Sequence, residues 1–312
     1  MITLPEIIQS HQRIERFIHR TPVITNYGLD QLTGTHLFFK CENFQKAGAF
    51  KIRGATNAVE RLTEEELQKG IATASSGNHG AALAMAVSRR GGQVTVIMPN
   101  NSSYKKVKNV QRNGGNIIWC EPSQESRDNE LKNFVSETGA IVIHPYNNED
   151  IIAGQGTASV ELMEDQSDLD VIIAPVSGGG LLSGTLCAAK NIKPTIKVFG
   201  AEPEEADDTY RSLKAGERLS NETTHTICDG LRAQIGLINF PIIQELVDGI
   251  ITLKEQEIIE SMRMIWERMK IIVEPSSAIA LAAVINNLDM FSNKKVGLIL
   301  SGGNVDLDDL PW

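Results

Sequence analysis

Between residues 71 and 143 the chain alternates short apolar runs with stretches whose apolar residues recur every three or four positions. The runs predict strands at 71–74, 93–98, 116–120 and 140–143. The periodic stretches predict helices at 79–90, 103–112 and 124–137. Runs such as Val-Thr-Val-Ile-Met at 94–98 are apolar on both faces, which suits a parallel sheet covered by helices on each side. Glycines at 91–92, 114–115 and 139 mark the breaks. A second series follows His144, with helices at 154–164, 181–190, 255–270 and 276–286 and strands at 171–176, 195–201 and 295–300. Residues 1–20 form an amphipathic helical pattern in which Glu6, Arg13, Glu15 and Arg16 interrupt the apolar positions, unlike a signal peptide. Two βα series predict an α/β protein of two doubly wound, parallel-sheet domains with a cleft between them. The expected division is a small domain at 47–144 and a large one made of 1–46 and 145–312.

The length, 312 residues, is enough for two such domains. With 39 acidic and 30 basic side chains the formal charge is −9, and no basic cluster offers a surface to nucleic acid. The block Lys105, Lys106, Lys108 reads as a solvated helix face. The longest apolar stretch, 271–285, is broken by Glu274 and Pro275, so no membrane span is expected. Cys41, Cys120, Cys187 and Cys228 lie far apart with no Cys-x-x-Cys pair, which suits reduced thiols in a cytoplasmic protein.

Candidate chemistry begins at 171–185, where a buried strand runs into Ser177-Gly178-Gly179-Gly180 and a helix follows from Leu181. Three glycines let the backbone approach a ligand, and the exposed N–H groups of a helix start favour phosphate. Taken alone, the loop also fits a tight turn without ligand. It also admits a nicotinamide-dependent dehydrogenase, with Glu202 at the end of the next strand as the ribose acid, although Ser183 stands where GxGxxG needs its third glycine. Residues 44–55 read Phe-Gln-Lys-Ala-Gly-Ala-Phe-Lys-Ile-Arg-Gly-Ala and place Lys51 between Phe50 and Ile52. Desolvation of such a lysine lowers its pKa and frees an amine for Schiff-base chemistry, though most lysines in apolar company only extend to water.

The string around Lys51, Ser75-Ser76-Gly77-Asn78-His79, the loop 177–181, the acidic segment 202–208 and Ser301-Gly302-Gly303-Asn304 occur in one order. Together they resemble the pyridoxal-phosphate enzymes of fold-type II, the tryptophan-synthase β class, and within it the serine racemase and serine/threonine dehydratase family. The segments 121–127 and 266–275 agree. The resemblance spans nearly the whole chain and lacks the regulatory domain of the long threonine deaminases. It implies a cofactor in the cleft, with Lys51 as its Schiff-base lysine, Phe50 against the pyridine ring and Asn78 on the ring hydroxyl. Gly178, Gly179, Gly180 and Leu181 would hold the phosphate, and Ser301 would face the ring nitrogen. Ser75, Asn78, His79 and Arg127 would hold the substrate. The implied activity is racemisation of serine together with β-elimination from serine or threonine to a 2-oxo acid and ammonia. Lys51 would carry the Cα proton on one face and Ser76 on the other.

The same resemblance makes Glu202, the carbonyl of Ala206 and Asp208 ligands of Mg²⁺, Ca²⁺ or Mn²⁺, oxygen donors that suit a hard cation. Without it, the acidic segment would read as a solvated turn. Lys270 and Asn304 match nucleotide contacts of the animal enzymes, but Ala81 replaces a glutamine there, so ATP is not expected to act as an effector. Ala233 replaces a serine that touches substrate in those enzymes, which keeps a threonine or threo-3-hydroxyaspartate dehydratase open as the alternative. The family is usually homodimeric. A nicotinamide-dependent dehydrogenase and a cofactor-free amino-acid-binding protein are the readings from other classes.

Overall fold

The computed structural model describes residues 2–75 and 77–312, with only the backbone for Gln124; Ser76 lies outside the described residues. Ten strands form two sheets among these residues. They are β1 (Val23–Ile24), β2 (His36–Cys41), β3 (Ile71–Ala74), β4 (Val94–Pro99), β5 (Gly115–Cys120), β6 (Ile141–Val142), β7 (Val171–Pro175), β8 (Lys197–Pro203), β9 (Gly249–Leu253) and β10 (Lys295–Leu300). The smaller sheet is parallel throughout, in the order β5-β4-β3-β6. The larger runs β1-β2-β10-β7-β8-β9 and is parallel except for the β1–β2 pair at its edge. The two parallel sheets agree with the expected architecture. Strands β1, β2 and β9 lie outside the elements that the apolar pattern predicts.

Both sheets are covered on their two faces, as the apolar runs require. In β10, Val296, Leu298 and Leu300 face the helices Glu255–Met269 and Pro275–Ile285, while Ile299 faces the helix Gly180–Ile192. In β7 the same alternation places Val171 and Ile173 on one side and Ile172 and Ala174 on the other. In the small sheet, Val94, Val96 and Met98 of β4 pack with Leu83 and Val87 of helix Asn78–Arg89 and with Ile52 and Val59 of helix Lys51–Glu60. No helix is long and apolar enough to cross a membrane among the described residues. The four cysteines are buried and unpaired.

The helix Glu149–Asp165 joins the two halves. Its start precedes the expected one because Asn148 caps it, the Oδ1 accepting from Ile151 N at 3.0 Å. The Gly154-to-Thr157 run, expected to open a helix, instead lies in its interior, where it permits close packing. A Cβ at Gly154 would lie 2.6 Å from the Cα of Gly54, and one at Gly156 would lie 2.8 Å from the carbonyl oxygen of Gly184. Beside this contact sits a buried ionic cluster. Arg53 donates to both carboxylate oxygens of Glu42 at 2.7 Å, to Glu161 at 2.7 and 2.8 Å, and to Thr157 Oγ1 at 3.1 Å. Lys40 Nζ completes it, donating to Glu161 at 2.6 Å and to the Thr21 carbonyl at 2.7 Å. Pairing on this scale is what allows two cations and two carboxylates to be buried together.

Candidate active site

Lys51 opens the helix Lys51–Glu60 at the carboxyl end of the large sheet. The chain arrives there through a reversal at Ala47 and Gly48, with φ values of 57° and 75°. Gly48 has no room for a side chain, since a Cβ would meet Asn304 Oδ1 at 2.3 Å. Phe50 N donates to the Ser301 carbonyl at 3.0 Å, and Ala49 pairs with Gly302, so the lysine is fixed to the end of β10. Lys51 Nζ donates to the Pro145 carbonyl at 3.1 Å and lies 5.1 Å from the centre of the Phe50 ring. Burial pulls its pKa down to about 8, against a smaller upward pull from Glu274. At pH 7.5 roughly one amine in four is then unprotonated, against about one in a thousand for an ordinary lysine.

Two histidines flank the amine without competing for its role. His79 is buried, its Nε2 lies 3.2 Å from the Ile143 carbonyl, and burial followed by the Lys51 charge brings its pKa down to about 3. His144 is brought to about 4 for the same two reasons, and its Nδ1 accepts from Asn147 N at 2.9 Å. Both rings are therefore neutral at physiological pH.

The strand β7 runs into the glycine loop, which packs on Tyr146, the neighbour of the Pro145 that accepts from Lys51. Gly179 has a φ of 93°, and the helix Gly180–Ile192 begins next with no side chain capping its N–H groups. A Cβ at Gly178 would lie 2.4 Å from the ring of Tyr146, and one at Gly179 would lie 2.6 Å from Ile235 Cδ1. Tyr146 is held in turn by Asn239, which donates to its carbonyl at 2.9 Å. Ser177 Oγ binds the next loop from both sides, accepting from Ala233 N at 3.0 Å and donating to the Ala233 carbonyl at 3.1 Å. A helix start with uncapped amides, reached through a loop that excludes side chains, suits a phosphate. With an amine of lowered pKa tied to Pro145, next to the Tyr146 that packs on this loop, the set fits a phosphorylated aldehyde. It does not resemble a dinucleotide site, because Glu202 is turned inward.

Asn78, first residue of helix Asn78–Arg89, is oriented by two partners that no sequence pattern connects with it. Its Nδ2 donates to Glu274 at 2.9 and 3.2 Å, and its Oδ1 accepts from Asn304 Nδ2 at 2.9 Å. Glu274 is buried and its pKa is pushed up to about 8, first by burial and then by the nearby Asp229 charge. The one signal for it in the sequence is its place as the lone charge inside the longest apolar stretch. Ser75 Oγ accepts from Gly77 N at 3.3 Å and Gly80 N at 3.1 Å, which anchors the start of the same helix. Ser301 is buried, with its Oγ 3.4 Å from the Ser276 carbonyl. Arg127 lies on helix Gln124–Thr138, and its charge reaches Tyr146. Ser76, expected on the opposite face from Lys51, falls outside the described residues.

Glu202 and Asp208 are both buried, at 0% and 1% exposure, with no cation paired to either among the described residues. Glu202 accepts from the backbone N–H groups of Thr209 and Tyr210 at 3.1 and 2.9 Å, and Asp208 Oδ2 accepts from Ile235 N at 2.7 Å. Burial raises both, Glu202 to about 8 with help from Asp208, and Asp208 to about 6. Asp208 Oδ1 is buried without any hydrogen-bond partner, and Ala206 is buried beside it in sequence. An orphaned oxygen on one of two buried carboxylates that have no cation beside them among the described residues fits a divalent cation.

Residues 14–302 match the family model described as pyridoxal-phosphate dependent enzyme. A serine racemase of Dictyostelium discoideum is 49% identical over 99% of this chain and 97% of its own length. A beta-hydroxyaspartate dehydratase of Paracoccus denitrificans is 45% identical over 99% of this chain and 98% of its own. The solved structure of maize serine racemase superposes with a TM-score of 0.95 at 45% identity, covering 98% of this chain and 94% of that one.

Proposed function

Since this chain belongs to the family of pyridoxal-phosphate dependent enzymes, we propose that it acts on hydroxy amino acids, racemising serine and eliminating water from serine or threonine to give a 2-oxo acid and ammonia. The observation that carries the reading is the Lys51 amine, with its pKa lowered to about 8, tied to Pro145 while the adjacent Tyr146 packs on an uncapped glycine-loop helix start. Bound there, pyridoxal phosphate supplies the electron sink that makes the Cα proton of an amino acid acidic. Lys51 takes that proton, its lowered pKa leaving part of the amine free as a base, in a cleft whose histidines are weaker bases turned to backbone groups. Gly178, Gly179, Gly180 and Leu181 hold the phosphate by N–H groups, Phe50 packs against the ring, and Asn78 meets the ring hydroxyl. Ser301, a neutral hydroxyl beside the ring nitrogen, does not stabilise positive charge there as a carboxylate would, which favours elimination over long-lived carbanions. Ser75, Asn78, His79 and Arg127 serve the substrate. Ser76 returns a proton from the opposite face. Glu202, the Ala206 carbonyl and Asp208 hold Mg²⁺ or a similar ion, and the working unit is a homodimer in the cytoplasm.

The second reading, a threo-3-hydroxyaspartate dehydratase with little racemase activity, is favoured by Ala233, which brings no hydroxyl to the loop held by Ser177. One experiment separates the two. The protein is incubated with L-serine, D-serine, L-threonine and the 3-hydroxyaspartate diastereomers, and 2-oxo acid release and chiral composition are followed together. Racemised serine supports the first reading, and Ser76→Ala should then suppress racemisation more than elimination from L-serine. Hydroxyaspartate turnover without racemisation supports the second. A colourless protein after reconstitution, with no lysine fixed by borohydride, would overturn both.

A further inference from the structure

The helix Tyr104–Arg112 reaches from the small sheet to the large one, and of its lysines Lys105 and Lys108 are exposed, as the sequence suggested, while Lys106 is not. Lys106 is 14% exposed and forms an ion pair with Asp229, which opens the turn Asp229–Leu231 on the large-sheet side. That turn is fastened from behind, since Gly230 N donates to Ser276 Oγ at 3.1 Å. On its way to Asp229 the Lys106 side chain crosses Gly77. A Cβ there would lie 3.1 Å from Lys106 Cδ and 3.3 Å from Cε and Nζ. Lys105 adds a second bridge, to Asp308 at 3.3 Å and Asp306 at 3.6 Å. Gly77 is thus held from within by Ser75 Oγ and covered from outside by the Lys106 stem. Its neighbour Asn78 is tied to Glu274, which itself feels the charges of Asp229 and Lys106.

We propose that Lys106 is a positioning residue for the start of helix Asn78–Arg89, acting through Gly77, and that its ion pair with Asp229 couples the order of that helix start to the approach of the two domains. The amino-acid carboxylate is bound where the loop turns into helix Asn78–Arg89, so a loop held in place meets its ligand without first being ordered. The Lys106 stem supplies the wall, and its charge supplies the attachment across the cleft. Lys106→Met keeps most of the wall and removes the attachment. Asp229→Asn removes the attachment from the other side.

The test uses the holoenzyme and two readouts. Because the pair is partly exposed, each variant should raise KM for L-serine by about fivefold with kcat changed less than about twofold. The double variant should be no worse than either single one, and Lys106→Arg should restore KM. Amide hydrogen exchange at 77–80 and 104–112 should quicken by about fivefold in both single variants, while Lys108→Met, whose amine sits over the Tyr104 ring, should change neither readout. The kinetic half rests on the proposed amino-acid activity; the exchange half does not, and it decides the matter even in a protein that fails to turn serine over. Exchange at 77–80 equal to wild type in both Lys106→Met and Asp229→Asn, or additive losses in the double variant, would overturn the proposal. Should Lys106→Met fail to fold, exchange in Asp229→Asn alone decides between the same two outcomes.

Discussion

Replacing Arg53 by methionine probes the ionic cluster beneath the active-site helix with little change in volume. In the native protein the guanidinium makes five hydrogen bonds, at 2.7 to 3.1 Å, to Glu42, Glu161 and Thr157. Methionine leaves two buried carboxylates with Lys40 as their remaining permanent cation within the cluster and His11, 3.4 Å from Glu161, as a partner only when protonated. Removing one partner from a buried ionic set costs about 3–5 kcal/mol, since the surviving charge cannot be hydrated. Against a total stability of about 5–15 kcal/mol that is a large fraction, and urea unfolding with linear extrapolation reads it directly. The pH dependence gives an independent sign. Burial pushes the Glu161 carboxyl up, but the Arg53 hydrogen bonds and the Arg53 and Lys40 charges outweigh this and hold it below its ordinary 4.5. A carboxyl with a lowered folded value contributes stability that is present above the unfolded value and disappears as pH falls through the folded one. The gap between wild type and Arg53→Met should therefore narrow from pH 7 towards pH 4. A loss below about 1 kcal/mol at pH 7, or a gap that widens in acid, would refute the claim that these charges depend on one another.

Gly179→Ala should weaken pyridoxal-phosphate binding to the apoprotein by about tenfold or more, because a left-handed φ and the overlap with Ile235 and Asn239 both oppose the side chain. Unchanged affinity in a titration would remove the phosphate from this loop. Exhaustive EDTA treatment should lower the melting temperature and Mg²⁺ should restore it, since saturation at about 100 times Kd contributes about 2.7 kcal/mol. Asp208→Asn should be insensitive to both, and a wild-type melting curve that ignores EDTA would count against the cation.

The small sheet was legible because its strands are runs of apolar residues with no charge inside them, as in Val94–Pro99, where every residue is buried. β2 was not, for the opposite reason. His36–Cys41 carries Lys40, and Glu42 follows, so the segment reads as surface until Arg53 and Glu161 are seen to neutralise both in the interior. The glycine loop and Lys51 announced themselves through a local pattern that only backbone approach and desolvation explain. Glu274 and Lys106 did not, because each acts on a residue far away in the chain, Asn78 and Asp229, and no periodicity encodes such a pairing. The acidic segment at 202–208 was readable as a ligand set only through the family likeness. The spacing says nothing of the inward turn that leaves Asp208 Oδ1 without a donor.

One pairing of the large sheet, β2 with β10, joins Leu37 to Val296 and Phe39 to Leu298, strands more than 250 residues apart in the chain. During synthesis the segment 71–142 has everything it needs to build its own sheet, while β2 waits for nearly the entire polypeptide to emerge from the ribosome. Loop closure over so long a separation is slow, and an unpaired strand edge is sticky in the meantime. The backbone at position 51 thus gains its tie to β10 only when that strand docks and its Ser301 carbonyl accepts from Phe50 N. A nascent chain stalled before β10 would carry the strands of the small sheet and a Lys51 not yet fastened to the large one.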